Sequence, residues 1–119
     1  MLSFSFGAFS QADEGSATIS EVKVVENHAQ IYDAEGNMTG NIYICPECTF
    51  EGNNQSYVLM MEAHRIKIYD GNGGYTGNKV NACSKCEVGE VYPSDFLVTD
   101  GEAGRYFNFY GEQVEHTDY

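Results

Sequence analysis

A stretch of eleven residues occurs twice in this chain, 37 positions apart. Ile31-Tyr32-Asp33-Ala34-Glu35-Gly36-Asn37-Met38-Thr39-Gly40-Asn41 returns as Ile68-Tyr69-Asp70-Gly71-Asn72-Gly73-Gly74-Tyr75-Thr76-Gly77-Asn78, with seven of the eleven positions identical. With one residue of slip, Val22, Glu26 and His28 answer upstream to Val58, Glu62 and His64. Downstream, Cys45 and Cys48 answer to Cys83 and Cys86. Self-similarity at a fixed period restricts a chain to architectures built from like units. Two copies of one unit are therefore read, over residues 22–52 and 58–90.

The unit is β in character. Val22-Lys23-Val24-Val25 and Val58-Leu59-Met60-Met61 are apolar runs of strand length. Residues 29–32 and 65–69 alternate as half-buried strands do, most clearly at Ile66-Lys67-Ile68. After each comes Asp-x-x-Gly: the aspartate can accept backbone N–H groups, and Gly36 and Gly73 can take positive φ at little cost. Ile42-Tyr43-Ile44 then returns the chain to its cysteines. Residues 57–65 are the one stretch whose Met, Leu and Glu would tolerate a helix. A further hairpin is expected over residues 96–110, with Asp100-Gly101-Glu102-Ala103-Gly104 as its turn.

This pattern predicts an all-β fold: one small antiparallel domain over residues 19–110, built from two tandem hairpin repeats. An aromatic arm, residues 1–18 with Phe4, Phe6 and Phe9, precedes it, and an acidic tail, residues 111–119, follows. With 119 residues, 42% of them hydrophobic, the chain has material for one compact core rather than for wholesale disorder.

The cysteines set the chemistry. Their spacing is C-x2-C-x34-C-x2-C, as Cys45-Pro46-Glu47-Cys48 and Cys83-Ser84-Lys85-Cys86. Two intervening residues let both sulfurs of a pair face one metal from a tight turn, and two such turns complete a tetrahedral shell. The expected site is a single structural Zn2+ held by Cys45, Cys48, Cys83 and Cys86, each copy supplying half of it. Pairs of this kind in a chain whose opening residues lack a basic, apolar leader point to metal before disulfide. The Cys-Pro-x-Cys turn with a glycine shortly after it (Gly52, and Gly89 in the second copy) resembles the knuckles of zinc-ribbon proteins. The likeness covers each knuckle and its flanking strands, and it implies the same four-thiolate ligand set. Iron in that shell would make a rubredoxin-like electron carrier.

Other candidate sites are thinner. Glu26, His28, Glu62 and His64 offer ligand types for a second metal, although a satisfied histidine is the commoner fate. His116, in the acidic tail, is expected to be solvated. Asp70-Gly71-Asn72-Gly73-Gly74 lacks the glycine and closing glutamate of a calcium-binding EF-hand loop. No nucleophile elbow, P-loop or dinucleotide fingerprint is present, so the chain is not expected to be an enzyme.

Eighteen acidic against six basic residues give a net charge of −12. Such a surface repels nucleic-acid backbones and suits basic protein partners. No apolar run is long enough to span a membrane, so an intracellular or virion location is expected. The expected function is that of a zinc-binding structural or assembly protein acting on other subunits, in character like minor virion components such as phage decoration or tail proteins. The alternatives are an acidic module that occupies the basic surface of a nucleic-acid enzyme, and the iron electron carrier.

Overall fold

The apolar runs become strands, and the computed structural model, which describes residues 16–116, contains no helix among them. β1 (Glu21–Val25), β2 (His28–Tyr32) and β3 (Met38–Tyr43) form a three-stranded meander. β4 (Cys48–Asn53), β5 (Tyr57–Glu62), β6 (Arg65–Asp70) and β7 (Tyr75–Asn81) form a second sheet. β8 (Glu87–Val91), β9 (Asp95–Thr99), β10 (Gly104–Asn108) and β11 (Gln113–Val114) form a third. Every pairing is antiparallel. The expected class, small, all-β and antiparallel, is the one observed. The aromatic arm lies outside the described residues except for its last three, 16–18, as do residues 117–119 of the tail.

The second sheet is the middle layer, because the buried residues divide into two cores on its opposite faces. Ile19, Ala29, Ile31, Ile42 and Ile44 from the first sheet and its flanks meet Val58 and Met60 of β5. On the other face Leu59, Ile66, Ile68 and Val80 meet Phe96, Val98 and Phe109 of the third sheet and its last turn. Successive side chains of a strand point to opposite faces, so β5 feeds both cores. This is why Val58-Leu59-Met60-Met61 is a continuous apolar run. The helix that residues 57–65 would tolerate does not form; a strand buried on two faces has the same composition.

Three turns share one design. Asp33 Oδ1 accepts the N–H groups of Glu35 and Asn37 at 3.0 and 2.9 Å. Asp70 Oδ1 accepts those of Asn72 and Gly74, both at 2.9 Å. Asn108 Oδ1 accepts those of Tyr110 and Glu112, both at 3.0 Å. The glycine three residues on has φ of 85°, 84° and 88° at Gly36, Gly73 and Gly111. The third turn has no counterpart in the sequence reading, because asparagine replaces aspartate there and the flanking Tyr and Thr are gone.

The second and third turns dock on the preceding sheet. Thr39 Oγ1 donates to the Gly71 carbonyl at 2.8 Å, and Asn78 Nδ2 donates to the Phe109 carbonyl at 3.3 Å.

Upstream of these turns the slip of one residue proves unnecessary. The β1–β2 reversal is Glu26-Asn27 and the β5–β6 reversal is Ala63-His64, each opening on a left-handed residue with φ of 55° and 59°. His28 is thus the first residue of β2, edge-on to Tyr43 with ring centroids 5.8 Å apart, while His64 lies in a turn. The two histidines are not equivalent. Ala63 is exposed, and a side chain at its φ costs on the order of 1 kcal/mol. Ala63→Gly is therefore expected to stabilise the protein by about 0.5–1 kcal/mol in urea denaturation. An unchanged or lower midpoint would count against a strained turn.

Candidate metal centre

Both C-x-x-C turns lie at joints between layers. Cys45-Pro46-Glu47-Cys48 carries the chain from β3 to β4, and Cys83-Ser84-Lys85-Cys86 carries it from β7 to β8. Each closes on a backbone hydrogen bond from the second cysteine to the first, Cys48 N to Cys45 O at 2.9 Å and Cys86 N to Cys83 O at 3.1 Å. In the structure each pair is joined as a disulfide, and no described cysteine is free.

The structure does not bring together the four cysteines expected at a single site. Among the described residues no cluster of donors takes sulfurs from both pairs. The topology gives the reason. β4 and β7 are the two outer strands of the middle sheet, whose order is β4-β5-β6-β7. At about 4.8 Å per strand spacing they stand roughly 14 Å apart. Cys48 begins one of them, and Cys83 follows the other.

A different trio does converge. The sulfurs of Cys45 and Cys48 and a carboxylate oxygen of Glu62 all lie within 4.8 Å of one another, each residue half-buried. β-pairing produces this, since Cys48 is the direct cross-strand partner of Glu62. Glu62 Oε1 also meets Lys67 Nζ at 2.6 Å. The hydrogen bond from that ammonium, and then its charge, hold the Glu62 carboxyl below the usual carboxylate range. Spacing between cysteines carried no hint of this ligand. The signal lay in register: a glutamate ending the strand that pairs with the one Cys48 begins.

The second pair is built differently. Cys83 and Cys86 border a cavity of about 180 Å³ with Asp100, Arg105 and Phe107. Beyond the Glu87–Thr99 pair, Asp100 and Cys86 line the same cavity. Asp100 Oδ1, however, accepts the N–H groups of Glu102 and Ala103, both at 2.9 Å. Those backbone bonds, Ala103 first, hold its carboxyl below the usual range and keep it in its own turn. Among the described residues neither His28 nor His64 joins a group of three donors.

His116 is not solvated as expected. Its Nδ1 lies 2.9 Å from Asp95 Oδ2, and its ring stacks on Tyr106 with centroids 4.2 Å apart. Asp95 is only 7% exposed, so the pair ties the end of the described chain to the third sheet. His116→Ala removes the imidazole from a nearly buried carboxylate and is expected to cost about 1–3 kcal/mol. Adding Asp95→Asn to it should recover part of that loss in the same melt, which a purely steric role for the ring would not allow.

Among the described residues no helix is long and apolar enough to cross a membrane. No protein-family model, curated protein or solved structure matches the chain, so the case for a metal centre stands on the donors themselves: two C-x-x-C turns, one of them converging with a carboxylate.

Proposed function

We propose that this is a non-enzymatic structural protein: a three-layer β stack that binds zinc through cysteine and docks on other protein subunits. The supporting observation is the placement of both C-x-x-C turns at the joints between successive sheets. A cation gripped there fixes the angle at which one layer hands the chain to the next. Thiolate ligands favour zinc over the hard cations. Metal binding adds directly to folding free energy, by about 10 kcal/mol in small zinc-finger peptides.

Docking is suggested by the outward face of the first sheet. Val25, Met38 and Tyr43 are 44, 48 and 57% exposed. Cross-strand pairing places all three on the face opposite Ile31 and Ala29. Large apolar side chains gathered on one face mark interaction surfaces, and a net charge of −12 selects a basic partner.

The test is metal analysis of the full chain purified under reducing conditions with zinc present, paired with thermal melts before and after chelation. Bound zinc, with a melt that falls when zinc is removed, is the expected result. Visible thiolate-to-iron absorption would replace this reading with an electron carrier. A chain that takes up no transition metal while reduced would end it.

A further inference from the structure

We infer that Cys45, Cys48 and Glu62 form a metal site of their own, separate from Cys83 and Cys86, which opens only when the Cys45–Cys48 disulfide is reduced. This rests on the metal-binding reading above and adds a ligand, a stoichiometry and a redox condition to it.

The donors are already close. In a tetrahedral site with bonds of about 2.0–2.3 Å, neighbouring ligand atoms lie roughly 3.3–3.8 Å apart. The two sulfurs and the Glu62 oxygen lie within 4.8 Å of one another, so opening the sulfur–sulfur bond calls for side-chain adjustment rather than refolding. The turn that carries the cysteines is closed by its own backbone hydrogen bond, and the strand pair that carries Glu62 is fixed by register.

Each residue of the trio is half-buried. Two thiolates and a carboxylate carry three negative charges against the two of a divalent cation. The Lys67 ammonium, 2.6 Å from Glu62, offsets the remainder. Two soft ligands in three select zinc or cobalt over calcium or magnesium.

The chemistry balances with a dithiol as reductant. Its two sulfurs join in a ring as the Cys45–Cys48 bond breaks, and its two protons pass to the cysteines. The incoming cation then displaces both protons into solvent, and Glu62 exchanges part of its contact with Lys67 for the metal. Among the described residues no third donor converges with Cys83 and Cys86, and Asp100 beside them accepts from Glu102 and Ala103. One ion per chain follows.

The experiment uses Co2+ as the probe on the full chain, oxidised and after reduction with a dithiol, following thiolate-to-cobalt absorption. One ion per reduced chain and none per oxidised chain is expected. With cobalt saturating, an alkylating reagent followed by mass spectrometry should find Cys45 and Cys48 protected and Cys83 and Cys86 modified. Glu62→Gln, checked for native circular dichroism, should weaken cobalt binding about tenfold or more, since a lost ligand matters at least as much as a lost outer partner.

Protection of all four cysteines, or full affinity in Glu62→Gln, overturns this site and leaves the metal reading of the chain standing. Undiminished cobalt uptake by the oxidised chain overturns the redox condition. No cobalt uptake by the reduced chain removes both.

Discussion

Gly40→Val is expected to force the first two sheets apart and to lower the unfolding free energy by about 3 kcal/mol or more. A Cβ at position 40 would lie 2.7 Å from the Asn72 carbonyl carbon and 2.7 Å from the Gly73 nitrogen. Both obstacles are backbone, so no rotamer change relieves them; the β6–β7 turn must back away from β3. Doing so breaks the bond from Thr39 Oγ1 to the Gly71 carbonyl and opens the core where Ile42 meets Val58. The turn glycines separate crowding from backbone strain. Gly36 and Gly73 have φ of 85° and 84°, yet a Cβ on Gly36 meets nothing within 4 Å, while one on Gly73 would lie 3.1 Å from the Asn41 nitrogen. Gly36→Ala should therefore cost about 1–2 kcal/mol from conformation alone, and Gly73→Ala should cost more. Denaturant melts at constant m-value measure all three. A Gly40→Val chain as stable as the parent would mean that the sheets are not in contact as described.

Most of the strands were legible in the sequence because their signals are local. Alternation at Ile66-Lys67-Ile68 and the Asp-x-x-Gly turns depend only on neighbours a few positions away, and both appear where expected. What escaped depends on distance in sequence. The hairpin of β9 and β10 was legible as well, but its kinship with the other layers hides, because the turn after β10 keeps the function of Asp33 and Asp70 with a different residue, Asn108, whose amide oxygen accepts the equivalent two N–H groups. β5 was open to a helical reading because burial on two faces erases the alternation that distinguishes strand from helix. The cysteines show the same limit. Their spacing identifies two turns able to hold metal, but which donors meet is decided by strand order. Strand order sends Cys48 and Cys83 to opposite edges of one sheet and brings Glu62 to face Cys48 instead. A motif specifies ligands within a turn; tertiary pairing specifies their company.

Phe96→Ala is expected to cost about 3–5 kcal/mol, the range for removing a fully buried phenylalanine. Phe96 is 0% exposed and lies between the middle and third sheets. Its ring is 5.2 Å from that of Phe109, which in turn stacks on Tyr57 of β5 at 4.9 Å and 12°. Truncation leaves a cavity against the rings of Phe107 and Phe109, which are anchored in a strand and in a turn and cannot both collapse into it. The form of the melt matters as much as its midpoint. β5 supplies Val58 and Met60 to one core and Leu59 to the other, so loosening the third layer also removes one of the two walls that hold β5 in place. The variant should then unfold in a single transition, with amide exchange accelerated in β2 as well as in β9. Two separated transitions, with β2 still protected while β9 exchanges, would show that the layers fold independently and that β5 does not couple them.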